Sequence, residues 1–129
     1  MTKKLTTILL TILLASAICY ADRIGTATYY GYGDGFAGKP TASTEKMNPD
    51  AMTCASWHYP LDTKLEVIYR HDFYAWSKGK KVRVIIDKKV IVRVNDRGGY
   101  HLLDLSYGAF RKLDPYGTSP LTVRVRRVK

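Results

Sequence analysis

The sequence predicts an all-β fold, a small β-barrel, with a β-sandwich as the alternative. Several short segments alternate apolar and polar residues with a period of two, as half-buried strands do. Long glycine-containing connections separate them, and a single short segment after Ser106 has helical spacing. A barrel also leaves no open sheet edge. The 129 residues suit one domain.

The first 21 residues are expected to lie outside that domain. Lys3 and Lys4, a mostly apolar run over residues 5–18, and Ala21 read as a secretory signal peptide, leaving residues 22–129. A membrane anchor is the alternative, although the run is shorter than the ~20 residues a span needs. The chain is therefore expected to be exported, periplasmic or secreted. Lipid anchoring through Cys19 is the weaker reading, because Ile18 stands where a small residue belongs. Cleavage after Ala21 leaves Cys54 alone, so no internal disulfide forms and the domain, expected to be a monomer, stands on its own core.

Removing Lys3 and Lys4 from 21 basic residues leaves 19 against 11 acidic ones, a net charge of +8. Such a charge favours an anionic partner. Export makes that partner a cell-wall polymer or a membrane surface. No aromatic-interleaved basic module for reading bases is present, so nucleic acid is not expected.

Residues 23–30 form the first expected strand, with Thr26, Thr28 and Tyr30 on one face and Ala27 and Tyr29 on the other. The following GYGDGFAG holds four glycines in eight residues, which excludes a regular helix or central strand. It fits neither the dinucleotide nor the phosphate-loop pattern. Tyr29, Tyr30, Tyr32 and Phe36 surround it, as candidates to stack on sugar faces or to fill the core. Residues 39–50 are turn-rich and carry Glu45, alone a solvated loop residue. Residues 51–56 suit a short strand or a helical turn, and residues 64–70 a strand. Residues 71–80 read as a connection, residues 81–86 as a strand, and Asp87-Lys88-Lys89 as a hairpin turn into Val90, with Val84 and Val92 inward. Val90, Val92 and Val94 alternate towards Asn95-Asp96-Arg97-Gly98-Gly99, a turn that places Asp96 and Arg97 at a rim. Leu102, Leu103 and Leu105 return to the core. Ser106 caps a helix through Leu113 with Tyr107, Phe110 and Leu113 on its apolar side. Leu121, Val123 and Val125 alternate with Thr122, Arg124 and Arg126 in the last strand.

In this order the pieces resemble the catalytic double-psi β-barrel domain of the rare lipoprotein A (RlpA) family, more distantly related in fold to expansins. Gly25 to Gly31, Gly38 to Glu45, Ala51 to Ala55, Leu61 to Val67, Val90 to Gly98, and Asp104-Leu105-Ser106 followed by Ala109, Phe110 and Leu113 carry the resemblance. It implies a six-stranded barrel with one short helix and endolytic lytic transglycosylase activity on peptidoglycan glycan strands. The alternative is a non-catalytic, expansin-like module that binds or loosens cell-wall polysaccharide. The resemblance places the family's glutamate on Glu45 and its NDRG aspartate on Asp96, the expected catalytic pair. The family's functional histidine falls on Ser56, with His58 two positions away. Ser56, His58 and Arg97 join the four aromatic residues as the expected substrate-binding set. Thr44 and Asp62 stand where the family has glycine.

Two carboxylates are the right equipment for a glycosidic bond: one group protonates the leaving oxygen, and another stabilises the positive sugar. Arg97 is expected to hold Asp96 ionised, leaving Glu45 as the acid. The chemistry needs no cofactor. No His, Cys or Asp spacing suggests a metal site, and Cys54, between apolar neighbours, reads as a buried thiol.

Overall fold

Apolar residues at alternate positions bury one face of each strand, and closing the sheet buries all of those faces together. The computed structural model describes residues 22–129. The expected leader, with Cys19, lies outside the described residues. The elements are β1 (Arg23–Tyr30), β2 (Thr53–Ala55), β3 (Lys64–Ser77), β4 (Lys80–Asp96), β5 (Leu103–Ser106), α1 (Tyr107–Leu113) and β6 (Leu121–Arg127). They close as β1-β5-β2-β4-β3-β6, with β1–β5 and β2–β4 parallel and the other pairs antiparallel. This is the expected six-stranded double-psi β-barrel.

The interior is filled by Leu65 and Val67 from β3, Val92 and Val94 from β4, Leu103 and Leu105 from β5, and Val123 and Val125 from β6. Helix α1 seals one end through Ala109, Phe110 and Leu113. Its start is fixed by Ser106, whose Oγ accepts from Ala109 N and donates to Ala51 O. Gly108 lets the helix touch the preceding loop: its N–H donates to Pro49 O at 2.7 Å, and a Cβ there would meet that oxygen at 2.8 Å. Tyr107 is only half-buried, so the helix's buried side is Ala109, Phe110 and Leu113.

Two expectations are corrected. Residues 71–80 are not a connection, and Asp87-Lys88-Lys89 is not a turn. Strands β3 and β4 pair without interruption from Lys64↔Arg93 to Ser77↔Lys80. The turn is Lys78-Gly79, with φ of 50° and 73°, and two positive φ values suit the right-handed twist of a two-residue hairpin. Asp87 lies mid-strand because Arg70, its register partner, binds it with two hydrogen bonds of 2.9 and 3.1 Å. Val92 is inward, 1% exposed, but Val84 is only half-buried. It occupies the face that lines the barrel interior further along β4, yet lies beyond the barrel's end.

Cys54 is fully buried in the core. Burial, with the nearby Asp104 charge, pushes its thiol up to about 12. The thiolate is the reactive form, so folded protein is expected to label about 100-fold or more slowly than free cysteine with a soluble thiol reagent at neutral pH, and to label fast in denaturant. Rapid labelling of the folded protein contradicts this placement. Replacing Phe110 with Ala is expected to cost about 3–5 kcal/mol in denaturant unfolding, because the helix then seals a cavity.

Candidate active site

The rim expected at Asn95 to Gly99 is built by an irregularity in the β2–β4 ladder. Cys54 pairs with Val94, but Ala55 pairs with Asp96, so Asn95 is an extra residue. Such a bulge re-aims the side chains around it. Here it brings Asp96 into register with Ala55, which on its other side pairs with Asp104 of β5; Asp104 in turn pairs with Thr28 of β1. Thr28, Asp104, Ala55 and Asp96 thus form one row across four neighbouring strands. Strands lie about 4.8 Å apart, so the two aspartate Cα atoms, two strands apart, are separated by about 10 Å. The residue between them is the smallest available with a side chain.

Three donors converge on Asp96. Tyr30 Oη donates to Oδ2 at 3.0 Å, while Ala42 N and Arg97 N donate to Oδ1 at 2.9 and 2.8 Å. Burial, then the Asp96 carboxylate, raises the Tyr30 phenol above its ordinary value, so it remains a donor. Asp104 accepts from Thr28 Oγ1 at 2.8 Å. Burial holds its carboxyl above the usual range; the Thr28 bond and His101 oppose that shift, and Asp34 and Asp96 add to it. His101 Nδ1 lies 2.7 Å from Thr26 Oγ1, one turn of the pleat before Thr28.

Glu45 sits in a different environment. Its loop docks on the end of β4, where Ser43 N donates to Asn95 O and Ala42 N reaches Asp96. Its carboxylate turns to Arg93, with N–O distances of 2.8 and 3.0 Å. The Asn95 side chain and then Arg93 hold it below the ordinary glutamate range. The structure therefore brings the Glu45 and Asp96 loops together, but gives the two carboxylates separate partners. Glu45 is held in its charged form, opposite to what a protonated acid requires.

The expected binding residues divide. Tyr30 and Phe36 sit beside the carboxylates, in edge contact with centroids 6.0 Å apart. Tyr29 packs on Phe110 at 4.9 Å and on Tyr107 at 5.4 Å, and Tyr32 stacks on Tyr107 at 4.4 Å. These two belong to the helix side. Ser56 is buried; its Oγ donates to Leu102 O and accepts from His58 N. His58 is exposed. The Arg97 guanidinium turns inward to Ser56 O and Tyr59 O, so only its backbone N–H reaches Asp96. Sequence reasoning missed Asp104, Thr28 and His101. A lone acid between buried Leu103 and Leu105 was the available signal for the first.

A closed double-psi barrel carrying a carboxylate row across β1, β5, β2 and β4 defines the class: a small β-barrel domain with a paired-carboxylate site on its rim. The chain belongs to the RlpA-type lytic transglycosylase family, since a family model described as lytic transglycolase matches residues 22–126. It is 38% identical over 104 residues to the "probable endolytic peptidoglycan transglycosylase RlpA" of Nostoc sp., covering 78% of this chain and 24% of that protein. The "endolytic peptidoglycan transglycosylase RlpA" of Campylobacter jejuni is 34% identical over 106 residues, 78% of this chain and 33% of that one. Its counterpart in Pseudomonas aeruginosa is 32% identical over 108 residues, 81% and 27% respectively. The chain thus spans about a quarter to a third of the length of the curated relatives it matches.

The two positions where the family has glycine, Thr44 and Asp62, keep glycine's backbone, with φ of 78° and 69°. A β-branched side chain is strained there. Replacing Thr44 with Gly is expected to raise stability by about 0.5–1 kcal/mol, read as a higher melting temperature. A lowered melting temperature would show that the threonine side chain earns its place in the Glu45 loop.

Proposed function

We propose that this domain cleaves peptidoglycan glycan strands by lytic transglycosylation in the extracytoplasmic envelope. The observation that carries this reading is the row from Asp104 to Asp96, two aspartates in unlike environments flanking one alanine. A half-buried carboxyl that holds its proton more tightly, set beside a second carboxylate fixed by three donors, is what an acid and a charge-stabilising partner need. The spacing of about 10 Å between Cα atoms suits carboxyl groups facing each other across a sugar. The family membership and the names of its relatives point to the same chemistry.

In this reading Asp104, whose burial raises its affinity for a proton, donates to the glycosidic oxygen as the C1–O bond breaks. Asp96, fixed by Tyr30, Ala42 and Arg97, faces the positive charge developing on the sugar. The muramic sugar's C6 hydroxyl oxygen then bonds to C1, and its proton returns to the Asp104 carboxylate. No water is consumed, and the product ends in an anhydro-muramic sugar. Glu45, paired with Arg93, fixes the loop whose Ala42 N–H holds Asp96. Tyr30 and Phe36 offer ring faces to the glycan.

One observation favours the expansin-like reading, in which the domain binds wall polysaccharide without cutting it. The position of the family's functional histidine is a buried serine with both roles of its hydroxyl already used. The readings separate on purified glycan strands, by mass analysis of products and by pull-down. Cleavage to anhydro-ended fragments is expected. Asp104→Asn and Asp96→Asn are each expected to reduce turnover by about 100-fold or more while binding survives, and Glu45→Gln to cost about tenfold or less, since it removes a positioning ion pair. Loss of all turnover in Glu45→Gln with Asp104→Asn unaffected returns the acid to Glu45. Binding without cleavage by the parent protein establishes the expansin-like role.

Asp104 also predicts a pH dependence. Its folded-state affinity for a proton is raised, so activity is expected to decline as pH rises through its pKa, above the ordinary aspartate value. The same raised value means that its protonated form favours folding at low pH and that this contribution is lost as pH rises. Asp104→Asn is therefore expected to be more stable than the parent at neutral pH, with the difference vanishing in acid. Equal stability at both pH values contradicts the assignment.

A further inference from the structure

Strands β3 and β4 outrun the barrel. Strand β6 pairs with β3 only from Leu65 to Ile68, and β2 pairs with β4 only from Arg93 onward. Residues 69–77 and 80–89 therefore pair with each other alone, as a two-stranded ribbon extending about 25–30 Å at 3.3 Å per residue. The two-residue period of the strands continues along it, with apolar side chains on both faces. Phe73, Ala75, Val82, Val84 and Ile86 lie on the face that lines the barrel interior nearer its middle. At the base His71 bonds Leu113 O at 2.7 Å. The face is open from there outward: Ile86, opposite His71, is 43% exposed, and Phe73 and Val82 nearer the turn are 44 and 42% exposed. Trp76, beside the turn, is 77% exposed and lies on the opposite face, which also carries the exposed Tyr74 and Ile85.

The charges on the ribbon are unbalanced. Its two acids, Asp72 and Asp87, are each taken by an arginine across the strands, Arg83 and Arg70. Lys78, Lys80, Lys81, Lys88 and Lys89 remain in excess of the acids, with Lys81 over the Tyr74 ring and Lys89 near the Asp87 carboxylate that Arg70 already binds. An aliphatic stripe, a terminal indole and five uncompensated lysines on one narrow arm fit one surface. The exposed rings of Phe73, Tyr74 and Trp76 suit a sugar polymer as well as a lipid interface, but the exposed aliphatic side chains of Val82, Ile85 and Ile86 have no role against a sugar. A lipid interface takes aliphatic side chains at the acyl boundary, tryptophan at the headgroup level and lysine against anionic headgroups.

We propose that this ribbon is a docking arm for an anionic phospholipid bilayer, with Phe73, Val82 and Ile86 against the lipid and Trp76 and the tip lysines at the headgroups. All six strands, the helix and the core lie within residues 22–129, so that segment is the folding unit and is free of the apolar leader. It is tested by co-sedimentation with vesicles of phosphatidylcholine containing phosphatidylglycerol, against phosphatidylcholine alone. A Trp57→Phe background makes Trp76 the reporter.

Salt-sensitive binding to the anionic vesicles is expected, with a blue shift of Trp76 emission. The Lys78→Glu, Lys80→Glu, Lys81→Glu triple variant should bind about 100-fold more weakly, because each lysine contributes about fivefold at an anionic surface. The Phe73→Ser, Val82→Ser, Ile86→Ser variant should lose the blue shift. Circular dichroism and Cys54 protection identify any variant that has unfolded, and the lysine variant, altered only at exposed positions, keeps the test decisive. Failure of the parent to bind anionic vesicles overturns the proposal, as does equal binding by the lysine variant. So does retention on purified glycan strands through the ribbon without vesicle binding, or a concentration-dependent dimer lost in the serine variant. The first of these would make the arm a wall-polymer site, and the second an interface between copies.

Discussion

A three-residue strand closes this barrel. Thr53, Cys54 and Ala55 are all buried, and they bridge β5 on one side and β4 on the other. An antiparallel ladder to β5 meets a parallel one to β4 there, and a parallel pair cannot be joined by a simple hairpin. Its last residue, Ala55, holds the two aspartates of the rim in one row, because Asn95 is skipped in the pairing. Restoring a regular ladder at that point would set Asn95 opposite Ala55 and turn Asp96 away. The site is thus a consequence of how the barrel is closed, and the core and the rim share one set of hydrogen bonds.

Environment then differentiates chemically similar groups. Glu45 and Asp104 are both carboxyl groups near Asp96. Glu45 meets an amide and a guanidinium at the surface, which favour its charge. Asp104 meets a threonine hydroxyl in a half-buried trough, where desolvation dominates. Charge complementarity on one side and poor solvation on the other push their proton affinities in opposite directions. The Tyr30 hydroxyl belongs to the same economy of space, because a raised pKa keeps it a donor between two acids.

Much of the barrel was legible from alternation alone. Residues 90–94 and 121–127 bury the residues their pattern marks, residues 23–30 form the expected strand with only Ala27 buried, and Ser106 starts the helix it was expected to cap. The ribbon was misread because a two-stranded arm exposed on both faces has no need of regular polarity, and Asp87-Lys88-Lys89 looks like turn chemistry until Arg70 is seen opposite. Asp96 was legible as a rim residue, and the placement of Asp104 was not. Its partners Thr28 and Ala55 come from strands 76 and 49 positions away in the chain. Nothing in a single sequence fixes the register of strands that meet through parallel crossovers.

The continuity of β4 has a mechanical consequence. The tip and Asp96 lie at opposite ends of one strand, with 14 consecutive rungs to β3 between Ser77↔Lys80 and Lys64↔Arg93. A load applied at the tip runs along these rungs in shear and is shared among them, instead of opening them one at a time. Arm and barrel are thus one uninterrupted pair of strands, so a displacement of the tip reaches the carboxylate row through hydrogen-bonded rungs and not through a loop.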